Sequence, residues 1–190
     1  MEPPKELVLQ LIEQITAAFA GVSRQGGVSL HQTRVLDDAF SQERMDEAGA
    51  RDVDTDWRDV PSSSLEKSDL HMSFLDPIGF RYYLPAYMVW QLKQGSGSVP
   101  WVDCNAHDET LHSLKLQEPA DMRQWQEERF EMFTLEQSRA SNRFLHFYAK
   151  YGEDFDQQHA QQALDSHWAK FDQTFAQCGD CAIQSEWKKV

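Results

Sequence analysis

The segment 73–92, SFLDPIGFRYYLPAYMVWQL, concentrates aromatic side chains and two prolines in an otherwise acidic and polar chain. Large rings are stabilised when they leave water, so we expect this segment to form part of the core. Asp76 is suited to the N-cap of a helix and Pro77 to its first position, because Pro needs no N–H partner there. The sequence therefore predicts that a helix begins at Pro77.

Pro85 is expected to interrupt that helix. It has no N–H, and its ring would clash with the carbonyl of Arg81 in a continuous helix. The residues before a proline also favour extended backbone. The prediction is a turn or an extended piece over 80–84, followed by a new helix from Pro85 to about Gln94.

Apolar residues recur at helical spacing in several other segments. Ser29 is a predicted N-cap, and Thr134 with Gln137 matches a capping box at the start of the clearest helix, which Gly152 ends. A first helix and a last helix, the latter beginning at about Asp156, are predicted from two apolar series: Leu7, Leu11, Ile15, Ala18, Phe19 and Val22; and Ala160, Leu164, Trp168, Phe171 and Phe175.

These patterns predict a mainly α fold, a compact single domain of several helices that covers residues 1–190. One or two short strands are predicted near 99–116. The GSGS run at 95–98 has the composition of a flexible linker and is a predicted hinge. The tail at 182–190 is expected to fray.

The chain carries 31 Asp and Glu residues against 18 Lys and Arg, which gives a formal charge of −13. Nucleic acid is therefore not expected as a partner, because binding phosphates depends on Lys and Arg. No apolar run is long enough for a membrane span, and the N-terminus lacks the pattern of a signal peptide. Three cysteines, an odd number, fit a reducing compartment. A cytoplasmic protein is expected, with no membrane partner.

Three segments resemble a bacterial protein family that is known only as a domain of unknown function. They are the positions Trp57, Val60 and Pro61, the block SFLDPIGFRYYLPAYM at 73–88, and FTLEQSRASNRFLHF at 133–147. The block YYLPAY at 82–87 is the most specific part of the resemblance, which covers most of residues 5–150. The resemblance implies no activity and no functional residue.

An acidic segment precedes the aromatic block. Asp52, Asp54 and Asp56 imitate the start of a calcium-binding loop, but Trp57 stands where that loop needs glycine and its bidentate glutamate is missing. The segment is either a solvated loop or, together with Asp59, a surface for a basic partner. Trp57 is either a core residue or the anchor of that interface, and the sequence leaves both open.

A basic stripe is predicted on the helix that follows Thr134. Arg139, Arg143, His146 and Lys150 recur at spacings that place them on one face. Exposed charges of this kind usually pair with neighbouring carboxylates or face water. The alternative is that Arg139, Arg143 and Lys150 contribute to a partner or anion site.

Two further sites are possible from residue types alone. Cys104 with His107, and Cys178 with Cys181, are two short-spaced pairs of the kind that bind zinc, although they lie far apart in the sequence. The aromatic block could also line a ligand pocket near Arg81 and Tyr83, although such a cluster is more often core. No glycine-rich phosphate loop or nucleophile elbow occurs, and no cofactor is predicted.

The preferred hypothesis is a cytoplasmic protein-interaction module, an immunity or antitoxin-like protein whose acidic surface neutralises a toxin with a basic cleft. Its expected contact residues are Asp52, Asp54, Asp56, Trp57, Asp59, Arg139, Arg143 and Lys150. One alternative is a metal-binding protein or an enzyme that uses the Cys and His pairs or the aromatic pocket. A second alternative is a small-molecule sensor.

Overall fold

The computed structural model describes residues 3–38, 41–67, 71–97 and 106–172, and these ranges contain helices and no strand. The prediction of a mainly α fold is confirmed. The strand prediction near 99–116 is wrong for 106–113, which is helical, and 99–105 lie outside the described residues. The helices are α1 (Lys5–Ala18), α2 (Leu30–Asp38), α3 (Gln42–Gly49), α4 (Ser62–Leu65), α5 (Pro77–Gly95), α6 (Ala106–Ser113), α7 (Ala120–Glu131), α8 (Leu135–Tyr151) and α9 (Asp154–Ser166).

Helix α5 occupies the centre of the fold. Fourteen of its 19 residues are buried, and they face every direction around the helix axis. Helices α1, α4, α6 and α7 all pack against it. A helix that is apolar all round is stable only when other elements cover each of its faces, so α5 dictates where its neighbours lie. Further out, α8 packs between α1 and α9.

Pro85 does not interrupt α5, and the predicted break over 80–84 is wrong. The helix runs continuously through Pro85, and Phe80, Tyr82, Tyr83 and Leu84 are helical and fully buried. A proline inside a helix costs about 3 kcal/mol. Burying one large apolar side chain returns about 1.5–3 kcal/mol, so the core outweighs the local penalty.

The start of α5 is fixed by Asp76, as predicted. Its Oδ1 accepts the N–H of Gly79 at 2.9 Å and also the N–H of Val28 at 2.8 Å, so one carboxylate oxygen caps the helix and fastens the chain before α2. The two segments approach so closely that a Cβ on Gly79 would lie 2.3 Å from the carbonyl oxygen of Val28. Glycine at position 79 is therefore required by the contact.

Arg129 on α7 holds the chain that leads into α5. Its guanidinium is 1% exposed and donates to the carbonyls of Ser73 and Leu75 at 2.7 and 2.5 Å. It lies 3.3 Å from the ring centroid of Trp125 and 4.9 Å from that of Phe80. Burial lowers the pKa of Arg129 to about 9. This side chain joins α7 to the entrance of the central helix.

The predicted capping box is present at the start of α8. The Thr134 hydroxyl accepts the N–H of Gln137, and the Gln137 side-chain oxygen accepts the N–H of Thr134. The same Gln137 amide donates to the carbonyl of Ala18 at the end of α1, and its oxygen accepts from Arg81 of α5. One side chain therefore links α1, α5 and α8.

The predicted last helix is shorter than its apolar pattern indicates. Helix α9 ends at Ser166, and Trp168–Phe171 form a separate 3-10 turn. The Trp168 ring N–H donates to the carbonyl of Leu114, and its own carbonyl accepts from Asn142. These two contacts position Trp168 against other elements instead of continuing α9.

The predicted hinge at 95–98 is only partly described, and the predicted frayed tail is not described. Gly95 ends α5 and Gly97 has φ +69°, while residue 98 of the predicted hinge and the tail at 182–190 lie outside the described residues. Among the helices described, none has both the length and the apolar character needed to cross a bilayer.

Substituting Gly79→Ala tests the contact between the start of α5 and Val28. Alanine favours a helix more than glycine does, yet the new methyl group would meet a backbone oxygen that has little room to move. We expect a loss of about 2–3 kcal/mol in the free energy of unfolding, measured by urea denaturation. Gly95→Ala is the matched control, because a Cβ there meets no described residue within 4 Å and the variant should be neutral or slightly more stable. Equal stability of the two variants would contradict the assignment.

Candidate functional site: the acidic loop

Residues 51–59, RDVDTDWRD, connect α3 to α4 and are here called the acidic loop. Its four carboxylates differ in their surroundings. Asp52 is buried, Asp54 and Asp56 are half-buried, and Asp59 is exposed. The inner carboxylates fasten the loop to the core, and the outer ones face solvent.

Asp52 fastens the loop to the first turn of α2. Its two oxygens contact His31, one at 2.7 Å from ring Nδ1 and the other accepting the backbone N–H at 2.9 Å. The prediction that the Ser29 side chain caps α2 is wrong, because its buried hydroxyl has no hydrogen-bond partner among the described residues. The remote carboxylate takes its place, since unpaired N–H groups and the helix dipole both favour a negative charge at this end.

Asp54 is held by the central helix. Its Oδ2 accepts the hydroxyl of Tyr82 at 2.9 Å, and the Tyr82 side chain is fully buried. The pKa of Tyr82 is raised above its ordinary value, mainly by burial and secondly by this hydrogen bond to a carboxylate. The hydroxyl therefore keeps its proton and remains a donor. The loop is therefore fixed by a bond that persists over the whole neutral range.

Arg24 closes the base of the loop from the segment between α1 and α2. Its guanidinium donates to the backbone carbonyl of Asp52 at 2.7 Å and to the hydroxyl of Tyr83 at 3.1 Å. It also lies 6.0 Å from the ring centroids of Tyr82 and Tyr83. A cation in this position offsets the carboxylates that converge around the two tyrosines.

Asp56 and Arg58 form a pair on the outer part of the loop. The Asp56 carboxylate accepts from Arg58 Nε at 2.9 Å, from its Nη2, and from its backbone N–H at 2.9 Å. The hydrogen bonds to Arg58 lower the pKa of Asp56 to about 2, against the small opposing effect of burial. This carboxylate is ionised at any physiological pH.

The outer surface of the loop combines an apolar side chain with free negative charge. Val53 is 84% exposed between the two anchored carboxylates, and Asp59 is exposed beside Pro61. Next to them is a cavity of about 280 Å³, here called the acidic cavity, whose lining is Arg51, Asp52, Val53, Asp54, Thr55, Asp59, Pro61 and Ser64. Three of these eight residues are aspartates.

Trp57 belongs to the core, which is the first of the two roles that the sequence left open. Its side chain is 2% exposed, and its ring N–H donates to the carbonyl of Phe19 at 2.9 Å. Burial of a large ring with a satisfied N–H is the usual arrangement for tryptophan. Trp57 fixes the end of the acidic loop from beneath.

The basic side chains of the stripe on α8 make contacts within the protein. Arg139 pairs with Glu136 at 2.5 Å, Arg143 donates to Gln14 of α1 at 3.0 Å, and the Lys150 ammonium lies 5.2 Å from the ring centroid of Tyr151. Partial burial lowers the pKa of Arg143. These contacts match the intramolecular alternative, and a partner role for the stripe stays a prediction.

The zinc prediction falls outside what is described. Cys104, Cys178, Cys181 and the side chain of His107 are not among the described residues. Within 3–38, 41–67, 71–97 and 106–172, no group of three or more His, Cys, Asp or Glu residues is placed to hold a metal ion.

The aromatic pocket predicted near Arg81 and Tyr83 does not coincide with either of the two cavities described here. Tyr83 is fully buried, and the Arg81 Nε donates to the side chain of Gln137 at 2.9 Å. Trp90 from the same block does line a cleft, which lies on the opposite side of α4 from the acidic cavity.

A Tyr82→Phe substitution tests the anchor of Asp54. Removing the hydroxyl leaves a half-buried carboxylate without its donor, so we expect a loss of about 1–2 kcal/mol in the free energy of unfolding and faster amide exchange in the acidic loop. Tyr151→Phe is the control, because the hydroxyl of this half-buried ring makes no hydrogen bond within the described residues, and its effect should be below about 0.5 kcal/mol. If amide exchange in the acidic loop is the same in Tyr82→Phe as in the wild type, the anchor is contradicted.

The ionisation state of Asp56 at pH 4 tests the Asp56–Arg58 pair. It is measured by carbon-13 NMR of the carboxyl group. With its pKa lowered from 3.8 to about 2, the wild-type group should be almost wholly ionised. In Arg58→Ala the pKa should return towards 3.8, so that roughly two fifths of the group is protonated. Because the folded pKa is the lower one, the pair stabilises the fold above pH 3.8, and this contribution is lost as the pH falls towards 2. Similar protonation in the two proteins would refute the pairing.

Comparison with known proteins identifies a family for this chain and nothing further. No curated protein and no solved structure matches it. The profile of a family described as "Family of unknown function (DUF6714)" matches residues 8–172. These residues include the acidic loop, the central helix and the two helices that follow α7. Since the match covers most of its length, the chain belongs to this family of unknown function.

Proposed function

We propose that this protein is an interaction module whose acidic loop docks on a basic surface of another protein. The kind of partner that fits is a toxin with a basic cleft, neutralised by an immunity or antitoxin-like protein in the bacterial cytoplasm. The observation that carries the proposal is the construction of the loop, in which inner carboxylates are fastened to the core while Val53 and Asp59 project outward.

Rigid anchoring favours a binding role because an ordered loop loses little conformational freedom when a partner arrives. Asp52 and Asp54 are anchored to His31 and Tyr82, and Arg24 closes the base of the loop. The three anchors, from α2, α5 and the segment before α2, hold the loop in one conformation.

Charge supports the same proposal. A protein with a formal charge of −13 is attracted to positive surfaces, and this long-range attraction raises the association rate. The acidic cavity, at about 280 Å³ and lined by Asp52, Asp54 and Asp59, has the size and charge to admit a lysine or arginine side chain. Val53 beside it supplies apolar contact area.

The experiment uses the purified chain to capture partners from an extract of the producing cells at low ionic strength, with elution by salt. Asp59→Lys is the test variant, because Asp59 is exposed and anchors nothing in the core. Glu131→Lys at the exposed end of α7 is the matched control, since it makes the same change in charge away from the loop.

We expect a basic protein that binds the wild type and Glu131→Lys equally and binds Asp59→Lys at least about tenfold more weakly by calorimetry. Added salt should also weaken the binding of this partner to the wild type, because exposed charges are screened. Recovery of no partner at low ionic strength, or equal weakening by both variants, would refute the proposal.

A further inference from the structure

A second cavity lies on the other side of α4 from the acidic cavity. It is a cleft of about 270 Å³ between α1, the 3-10 turn Trp57–Asp59, α4 and the second half of α5, and we call it the α1–α5 cleft. Its floor is apolar and closely packed, since Leu65, Val89 and Trp90 are 3%, 8% and 4% exposed. Ile12 of α1 forms a partly buried side wall.

The charges of this cleft are opposite to those of the protein as a whole. Of the residues that the structure describes, the cleft is lined by Arg58 and Lys93 and by no carboxylate, although acidic residues outnumber basic ones 31 to 18 in the chain. Lys93 is exposed and makes no ion pair within the part of the chain that the structure describes. Arg58 holds Asp56 through Nε and Nη2, which leaves its Nη1 for another acceptor.

The two cavities therefore have similar volumes and different chemistry. The acidic cavity is lined by three aspartates and one arginine, whereas the α1–α5 cleft offers an apolar floor, the ammonium of Lys93 and the Nη1 of Arg58, whose charge is partly balanced by Asp56. Small-molecule sites typically combine apolar walls with a few convergent polar groups and have volumes of about 300–1,000 Å³. At about 270 Å³ the cleft lies just below that range, which suits a molecule with one ring or a short chain.

We propose that the α1–α5 cleft binds a small amphipathic carboxylate. The apolar part lies against Leu65, Val89 and Trp90, and the carboxylate lies between Arg58 and Lys93. The hydroxyl of Thr16, which donates to the carbonyl of Ile12 at 2.7 Å, keeps its oxygen lone pairs for a water or a ligand hydroxyl. The site shares Trp57 and Arg58 with the acidic loop, but its ligand does not require the partner proposed for that loop.

The experiment titrates octanoate and 3-phenylpropionate into the full chain and follows tryptophan fluorescence, because Trp57 and Trp90 both line the cleft. Isothermal titration calorimetry measures the same binding without an optical signal. Octanol and octylamine are the matched probes, since they keep the apolar chain and remove or reverse the charge. We expect at least one of the acids to bind with a dissociation constant on the order of 1 mM or tighter, and both matched probes to bind more weakly.

Two variants locate the site, both measured by calorimetry. Lys93→Glu should weaken carboxylate binding about tenfold, because it places like charges together, whereas Lys5→Glu on the far end of α1 should leave it unchanged. Ser62→Trp at the exposed rim should block the cleft while leaving the core intact, and it also tests the proposal if Lys93→Glu fails to fold.

Each result decides the proposal. Binding of an acid that is weakened by Lys93→Glu or blocked by Ser62→Trp supports it. Failure of both acids to bind, equal binding of octanol or octylamine, or binding that none of these variants alters would overturn it. Loss of the acidic loop's partner would leave this result unaffected, because Asp59 does not line the cleft.

Discussion

The rest of the structure depends on the burial of α5 on every side. A helix without a polar face cannot lie at the surface, so the other elements must surround it. The two tyrosines that support the acidic loop, Tyr82 and Tyr83, are on this helix, and so are Val89, Trp90 and Lys93 of the α1–α5 cleft. Both candidate sites are therefore attached to a helix that is buried on every side, and their geometry follows from the requirement to cover it.

The acidic loop is stable because its inner carboxylates have hydrogen-bond donors and its outer charges face solvent. Asp52 and Asp54 would be costly to bury alone, and each has a donor from a different element, His31 or Tyr82. Arg24 adds a cation where these groups converge. Charges that remain outside are screened by water and contribute little to folding, which leaves them available for a partner.

Local patterns in the sequence predicted those features that depend on residues close together. The capping box of Thr134 and Gln137 and the cap by Asp76 were predicted because the partners are three residues apart. The effect of Pro85 was predicted wrongly because a local penalty was weighed without the core that overrides it. The pairing of His31 with Asp52 spans 21 residues and follows no short motif, so only the fold could reveal it. The same holds for Arg24, whose contacts lie 28 and 59 residues away.

The opposite chemistry of the two cavities follows from one short wall. The stretch from Trp57 to Leu65 separates them, with Val60, Ser62 and Leu65 on the side of the cleft and Asp59, Pro61 and Ser64 on the side of the loop. Asp59 and Val60 are adjacent in sequence and line different cavities, so a carboxylate and an apolar group next to each other in the chain contribute to different surfaces. Asp56 then binds Arg58 across the turn and holds its charge in place. An acidic chain can thus keep two basic side chains at one cleft beside its acidic loop.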